Sequence, residues 1–191
     1  EGDFAKGMES GRGRLTTKSG AIFEGEFHDG VLAGPGRYES GNGVVYEGGF
    51  KDSLYHGTGR IVGGFGEYTG GIHLGEISGK GEMRFKDGRS YVGDFVRGEF
   101  EGKGRLAYAS GQVYEGDFIA GEFTGSGVVT WPGGMRHEGR FRNWRPEGPG
   151  VFSDDAGTTY EGSFTNGELT GIGRILAKDG SRYEGETRNR M

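Results

Sequence analysis

The stretch Tyr114-Glu115-Gly116-Asp117-Phe118 decides the fold, because near-copies of it recur along the chain. Its central glycine returns every 23 residues, with a single step of 22. These marker glycines are Gly2, Gly25, Gly48, Gly70, Gly93, Gly116, Gly139, Gly162 and Gly185. A fixed period of this length is typical of proteins built from repeated supersecondary units. The sequence therefore predicts an array of small, closely similar units.

Aromatic side chains stand two residues before and two residues after most marker glycines. They are Phe23, Phe27, Tyr46, Phe50, Tyr68, Tyr91, Phe95, Tyr114, Phe118, Phe141, Tyr160, Phe164 and Tyr183. His137 and Thr187 replace a ring in two units. Side chains at even spacings point to the same face of a β-strand. We therefore predict one aromatic face and interpret it as a groove that binds protein partners.

A second motif, Gly-x-Gly, begins nine residues after each marker glycine. A further glycine stands seven residues after the second glycine of this motif. A three-residue loop such as 18–20, with its glycine in the left-handed conformation, closes a β-hairpin. This loop places Leu15 opposite Phe23 on the aromatic face and Arg14 opposite Glu24 on the other face. A two-residue loop would mix the two faces, so the pattern favours three residues.

The unit with the 22-residue step lacks one residue in this loop. Gly64 and Phe65 can form a two-residue type II′ turn, in which the first residue has a positive φ. Ile61 then still lies opposite Tyr68. The deletion is therefore compatible with the same pairing of strands.

These patterns predict an all-β fold, an elongated single-layer antiparallel meander of about eight stacked 23-residue hairpins forming an open twisted rod. Single hairpins are marginally stable in water, so neighbouring units must bury their rings together. Residues 1–191 are expected to form one continuous array, and the incomplete units at both ends indicate a fragment of a longer one.

Composition narrows the class of protein. Only 31% of the residues are hydrophobic and 45 are glycine, which does not suit an ordinary compact core. The net charge of −5 argues against a nucleic-acid surface. The absence of cysteine excludes disulfides and suits an intracellular location. No run of about 18 apolar residues predicts a membrane-spanning helix.

The sequence contains no convincing catalytic or cofactor site. Gly-x-Gly binds dinucleotides between a strand and a helix, and no amphipathic helix is found. The carboxylates recur opposite arginines, which favours surface ion pairs over an acid/base pair. The histidines are His28, His56, His73 and His137, and their spacing does not gather three ligands. We predict no enzyme, no cofactor and no metal, with a metal at an interface between copies left as an alternative.

Units such as Phe23-Glu24-Gly25-Glu26-Phe27 and Tyr183-Glu184-Gly185-Glu186 resemble the MORN repeat, the membrane occupation and recognition nexus. The resemblance covers essentially the whole chain. It implies a curved rod of stacked hairpins and a scaffold role in cytoskeletal and membrane-junction assemblies. MORN arrays also occur fused to lipid kinases and a lysine methyltransferase. Repeat-only chains most resemble the scaffolds of apicomplexans and kinetoplastids, some of which dimerise through their C-terminal repeats.

One basic cluster departs from the overall acidity. It consists of Arg136, Arg140, Arg142, Trp144 and Arg145, with Trp144 in place of a loop glycine. Such a cluster can bind phospholipid headgroups. Interspersed glutamates favour a second interpretation, a solvated polar face.

The C-terminal end is a candidate dimer interface. The last strand exposes unpaired backbone groups, and Thr187 replaces the final ring. We expect an uncovered apolar patch there, formed by Phe164, Leu169, Ile175, Tyr183 and Thr187. Two copies meeting about a twofold axis would cover both patches. The sequence thus predicts a homodimer joined through its C-terminal repeats.

Together these features predict a non-catalytic scaffold that associates with itself and binds cytoskeletal or membrane-associated proteins in the cytoplasm. A phosphoinositide-binding module that tethers a protein to a membrane is the alternative.

Overall fold

A computed structural model describes residues 2–5 and 8–187. The chain divides into two compact units, residues 1–98 and residues 99–191. The described residues form seventeen β-strands and no helix. The predicted all-β antiparallel meander of hairpins is confirmed, whereas the continuity of residues 1–191 as one array stays a prediction.

The first unit contains nine strands, and each pairs antiparallel with the next. They are β1 (Gly2–Ala5), β2 (Met8–Thr16), β3 (Ile22–His28), β4 (Val31–Glu39), β5 (Val45–Lys51), β6 (Leu54–Gly63), β7 (Gly66–His73), β8 (Glu76–Phe85) and β9 (Ser90–Val96).

The second unit contains eight strands with the same antiparallel connectivity. They are β10 (Glu99–Ala107), β11 (Val113–Ile119), β12 (Glu122–Thr130), β13 (Arg136–Arg142), β14 (Arg145–Ser153), β15 (Thr159–Thr165), β16 (Glu168–Leu176) and β17 (Arg182–Thr187).

The predicted three-residue loop is confirmed between β2 and β3. Thr17 N donates to Ala21 O at 2.8 Å, and Gly20 N donates to Thr17 O at 3.0 Å. Gly20 has a φ of 82°, which a residue without Cβ adopts at little cost. Leu15 then pairs with Phe23, as the sequence predicted.

The charged face has the predicted register in both units. Arg14 pairs with Glu24 in the first unit, and Arg174 pairs with Glu184 in the second. Because one residue of slippage would move every side chain to the other face, this agreement fixes which face is aromatic.

The loop at Gly64 and Phe65 has two residues, and Ile61 pairs with Tyr68 as predicted. The predicted type II′ turn is wrong, because that turn needs a left-handed φ at Gly64. The positive φ, 134°, lies instead at Gly66, the first residue of β7. The twist needed by the shortened loop is thus taken up after the turn.

The same three-residue loop recurs in every second connection except the one at Gly64. Within each unit the connections between these loops, at 29–30, 52–53, 74–75, 120–121, 143–144 and 166–167, are two-residue turns in which both residues have positive φ, as in type I′ turns. Asp29 and Gly30 show this with φ values of 49° and 79°. Gly30 N also donates to Glu9 O of the preceding hairpin at 2.9 Å. Trp144 occupies the second position of such a turn with a φ of 71°, an unusual conformation for a bulky residue. Hydrogen bonds like the one from Gly30 N to Glu9 O recur at the other turns and tie each hairpin to its neighbour.

Candidate functional site

The aromatic face is organised by pairs of glycines that lie opposite each other on adjacent strands. Gly70 of β7 pairs with Gly81 of β8. A methyl group on Gly81 would lie 2.5 Å from the Tyr68 hydroxyl oxygen and 2.6 Å from Tyr68 Cε2. The ring therefore lies directly on the glycine pair. We call the space above such a pair a glycine slot.

In the first unit, tyrosine rings fill the slots above Gly48 and Gly59 and above Gly70 and Gly81. The Tyr46 hydroxyl donates to Gly49 O at 2.7 Å, and the Tyr68 hydroxyl donates to Gly71 O at 2.8 Å. Both side chains are fully buried, and burial raises the pKa of Tyr68 to about 12. The hydroxyl bond to the ring's own strand holds it flat against the sheet. Tyr91 follows the same pattern, with its hydroxyl 3.2 Å from Asp94 O.

In the second unit, two slots are filled from the residue seven positions after the marker glycine. Phe123 lies on Gly116 and Gly127, and Leu169 lies on Gly162 and Gly173. Both side chains are buried. The tyrosines of these hairpins are displaced: Tyr114 and Tyr160 are only half-buried.

The displaced tyrosines find polar partners near the three-residue loops. Gln112 Nε2 donates to the Tyr114 hydroxyl at 2.8 Å. The Tyr160 hydroxyl lies 3.2 Å from Asp154 Oδ2 and donates to it. The Tyr160 phenol thus donates within the chain, whereas the Tyr114 phenol accepts a hydrogen bond there.

Trp144 packs over the hairpin in which Phe123 fills the slot and Tyr114 is displaced. The Trp144 ring lies 5.1 Å from Tyr114 edge-to-face, 6.0 Å from Phe118 and 6.2 Å from Phe123. Such aromatic pairs contribute about 0.5–1.5 kcal/mol each beyond burial. This packing offsets the cost of the left-handed backbone at Trp144.

His137 occupies the ring position of its own hairpin, above Gly139 and Gly150. It is 1% exposed, and its ring meets Phe164 at 4.5 Å and Phe141 at 5.2 Å, both edge-to-face. Neither ring nitrogen has a hydrogen-bond partner among the described residues. Burial lowers the pKa of His137 to about 4. The imidazole is therefore neutral at physiological pH.

Most of the rings predicted to form a binding groove are buried between neighbouring hairpins. The buried ones are Phe27, Tyr46, Phe50, Tyr68, Tyr91, Phe95, Phe118, Phe141 and Phe164. Phe23, Tyr114 and Tyr160 are half-buried, and Tyr183 is 44% exposed. A partner can therefore reach only the outer members of the predicted set.

Several other accessible rings of this face lie outside the predicted groove. Tyr38 and Tyr55 in the first unit, and Trp131, Trp144 and Phe152 in the second, are half-buried. The sequence shows the position of each ring in its repeat. Tyr38 and Phe152 stand two residues after Gly-x-Gly, and Tyr55 stands seven residues after a marker glycine. Trp131 borders a three-residue loop, and Trp144 lies in a two-residue turn. What the sequence did not show was which rings lie beneath and which lie on top.

The opposite face carries ion pairs. Arg14 and Glu24 are 3.2 Å apart, and Arg37 and Glu47 are 3.6 Å apart. The side chains are one-third exposed or more, so these pairs stabilise the sheet little. In the second unit Val128 lies opposite both Glu115 and Glu138, where the first unit has arginines.

The structure keeps the four arginines of the predicted basic cluster on one face and separates Trp144 from them. Arg136, Arg140 and Arg142 alternate with buried residues along β13 and share the polar face, and Arg145 pairs with Arg142 across the turn. Two of them are neutralised, Arg136 by Glu138 at 2.6 Å and Arg142 by Glu147 at 2.7 Å. The Trp144 ring lies against the aromatic face instead.

The expected uncovered patch at the C-terminal end is wrong for three of its members. Phe164, Leu169 and Thr187 are buried, at 1%, 0% and 2% exposure. The Thr187 hydroxyl donates to Gly171 O at 2.8 Å, which holds its side chain over the last hairpin. Ile175 is half-buried, and Tyr183 remains the exposed ring of this end.

Within residues 2–5 and 8–187, no group of three or more metal-ligating side chains is found. His56 and His73 come together with ring centroids 5.1 Å apart, whereas His137 is enclosed by phenylalanines. The same described ranges contain no helix long and apolar enough to cross a membrane.

Comparison with solved structures shows the fold. The TCP domain of Drosophila melanogaster SAS-4 (dCPAP), in complex with a proline-rich motif of Ana2 (dSTIL), is 10% identical, with a TM-score of 0.52. The alignment covers 92% of this chain and 90% of that chain. The G-box domain of CPAP is 13% identical, with a TM-score of 0.47, over 93% of this chain and 100% of that chain. No curated protein sequence matches this chain.

The sequence profile of the MORN repeat, a non-enzymatic repeat module, matches the chain eight times. The matches span residues 1–22, 23–45, 46–67, 68–88, 91–113, 114–136, 137–159 and 160–182. Their boundaries coincide with the 23-residue period that begins at each ring position. The chain therefore belongs to the MORN repeat family.

Proposed function

We propose that this protein is a non-catalytic scaffold that binds segments of partner proteins on its aromatic face. The observation that carries the proposal is the two-level packing of that face. Buried side chains such as Tyr68 and Phe123 fill the glycine slots, and half-exposed rings such as Tyr38, Tyr114 and Phe152 lie beside them.

This packing suits binding for a physical reason. The lower level fixes the rings above it, so little side-chain entropy is lost when a partner docks. Exposed aromatic side chains are also enriched where proteins bind each other. The polar face, in contrast, presents solvated ion pairs that contribute little to affinity.

The Drosophila SAS-4 TCP domain supports the proposal by analogy of fold. Its structure was solved in complex with a proline-rich motif of Ana2. A sheet of this architecture is thus able to present a surface to a short segment of another protein. At 10% identity the analogy concerns the architecture and not particular residues.

A peptide-display selection on the intact chain tests the proposal. We expect it to enrich peptides whose binding is lost in Tyr38→Ser or Phe152→Ser variants and retained in a matched polar-face variant, Glu138→Ser. Failure to enrich any peptide, or binders that depend only on Glu138, would reject the aromatic face as the binding surface.

Self-association is the second part of the proposed function. Among the described residues β17 pairs only with β16, and Tyr183 exposes its ring beside that edge. An exposed aromatic ring favours contact with a second copy. Light scattering should give about twice the 20.5 kDa chain mass, and Tyr183→Glu should return the monomer. A monomeric wild-type chain would remove this part of the proposal.

The setting we propose is a cytoskeleton- or membrane-associated assembly in the cytoplasm, which the MORN family membership supports. Phospholipid binding has weaker support from the site. Two of the four arginines of the basic cluster are ion-paired, and Trp144 packs on the aromatic face away from them. Liposome binding that falls with added salt would revive the lipid alternative.

A further inference from the structure

Two tyrosine hydroxyls on the aromatic face of the first unit have no hydrogen-bond partner among the described residues. Tyr46, Tyr68 and Tyr91 donate to backbone carbonyls of their own strands. The Tyr38 and Tyr55 hydroxyls have no such partner within the described part of the chain. Both residues are half-buried, so these two neighbouring hydroxyls remain available as donors to a ligand that docks on the rings.

The two rings stand in a row with a third. Tyr38 lies 4.7 Å from Phe23 and 5.8 Å from Tyr55, measured between ring centroids. Burial, with a smaller contribution from the nearby Tyr38 and Tyr46 phenols, raises the pKa of Tyr55 well above its usual range. Tyr55 is therefore a neutral hydrogen-bond donor at every physiological pH.

The buried level beneath fixes the orientation of this row. Tyr55 stacks on Tyr46 at 3.9 Å and meets Phe50 edge-to-face at 5.6 Å. Tyr38 pairs across the strands with Phe23 on one side and Tyr46 on the other. Both hydroxyls are thus presented by rings that cannot easily turn away.

This combination selects a chemical class of ligand. Flat apolar ring faces suit proline rings, and the free hydroxyls suit backbone carbonyl groups. A polyproline II segment offers both, since its carbonyls are unpaired and its prolines have no N–H. A β-strand ligand would instead bring a row of N–H groups, which these side chains meet with few acceptors.

We propose that Phe23, Tyr38 and Tyr55 form a subsite for a proline-rich segment in the polyproline II conformation. The proposal rests on the function proposed above and names the class of segment that the first unit takes. Tyr114 and Tyr160 of the second unit differ from this pair, because the Tyr160 hydroxyl already donates to Asp154 and the Tyr114 hydroxyl is held in place by a bond from Gln112.

The test uses fluorescein-labelled decaproline as the probe and a labelled Gly-Ser peptide of equal length as its control, with anisotropy as the readout. The Tyr38→Phe, Tyr55→Phe double variant removes only the free hydroxyls. Its matched control, Tyr68→Phe with Tyr91→Phe, removes two hydroxyls that are used inside the fold.

We expect decaproline and not the Gly-Ser peptide to bind the wild-type chain. Each hydroxyl contributes about one net hydrogen bond, so the Tyr38, Tyr55 double variant should bind at least about fivefold more weakly. The control variant should bind like the wild type. Thermal melting of each variant verifies that it is folded.

Two results would overturn the subsite. One is no decaproline binding at millimolar concentration, and the other is binding that both double variants leave equal to the wild type. If the display selection still yields peptides that depend on the aromatic face, the proposed function stands and only the proline-rich class fails. If that selection also fails, both proposals fall together.

Discussion

The hairpin of Tyr68 in the first unit and the hairpin of Phe123 in the second have the same backbone and opposite packing. Above Gly70 and Gly81, the tyrosine fills the slot and Ile77 is half-buried. In the other hairpin, Phe123 fills the slot and Tyr114 is half-buried. The repeat fixes a space without fixing which of two side chains occupies it.

The difference determines what each hairpin shows to a partner. Where tyrosine fills the slot, its hydroxyl donates to a backbone carbonyl, and the residue seven positions after the marker glycine lies outermost. Where the residue seven positions after the marker glycine fills the slot, the tyrosine moves outward. In the hairpin of Phe123, Gln112 donates a hydrogen bond to the displaced Tyr114 hydroxyl. Arrays of one repeat type can thus vary their surface while keeping one core geometry.

The largest effect should come from truncating the slot rings. Tyr68→Ala should lower the free energy of unfolding by about 4 kcal/mol, as for other buried rings. Tyr114→Ala should cost about half as much, roughly 2 kcal/mol, because the ring is half-exposed. Urea denaturation of the two variants measures both losses. Equal losses would contradict the two-level packing.

The next effect is a pH dependence of the free energy of unfolding, and it arises from His137 in the second unit. The pKa of His137 lies near 4 in the fold and near 6.5 in an ordinary environment. The unfolded chain therefore binds more protons between those values, and stability falls as pH falls from about 6.5 to about 4. The full loss is up to about 3 kcal/mol.

His137→Phe is the matched control for this prediction, since it keeps a ring above Gly139 and Gly150 and cannot titrate. Melting curves at pH 7, 5.5 and 4 should show wild type and variant diverging as pH falls. Carboxylates titrate in both proteins and cancel in the difference. Parallel curves would mean that His137 is not buried as neutral imidazole.

A smaller effect should follow from removing a single hydroxyl. Tyr68→Phe deletes the bond to Gly71 O and should cost about 1 kcal/mol. Tyr38→Phe deletes a hydroxyl without a partner on the chain and should change the free energy of unfolding by less than about 0.5 kcal/mol. The denaturant midpoints of the two variants compare the loss of a hydroxyl that is hydrogen-bonded to the backbone with the loss of one that is not. A larger loss in Tyr38→Phe would show that its hydroxyl has a structural role.

The smallest effect concerns the polar face, where the two units differ at Val128. Val128→Arg would place a guanidinium between Glu115 and Glu138 and create there the charge alternation seen at Arg14, Glu24 and Arg37. The expected gain is under about 0.5 kcal/mol, because exposed pairs are weak. A gain above about 1 kcal/mol in low salt would show that this face is more important than proposed.

Sequence periodicity was sufficient for the backbone and for the two faces. The 23-residue period, the three-residue loops and the pairing of Leu15 with Phe23 follow from patterning alone, since one face must be apolar. The type of turn at Gly64 could not be obtained in this way, because Gly66 was free to take the unusual φ. The sequence also predicted that Phe164 and Leu169 are exposed, whereas the neighbouring hairpins cover both side chains.

The choice of slot side chain was beyond the sequence for a different reason. Tyr91 and Tyr114 stand in nearly identical motifs, yet one ring is buried and the other is not. Trp144, which lies thirty residues from Tyr114 along the chain, packs against Tyr114 and Phe123 only after folding. A pattern read one repeat at a time contains no such information.

A set of double-mutant cycles on the glycine slots tests this account most directly. Gly81→Ala should couple with Tyr68→Ala by about 1.5 kcal/mol or more, because removing the ring relieves the clash, and should not couple with Ile77→Ala beyond about 0.5 kcal/mol. In the second unit the dependence should reverse, with Gly127→Ala relieved by Phe123→Ala and not by Tyr114→Ala. If the same position of the repeat relieved the clash in both units, the two regions would be packed alike and the account would be contradicted.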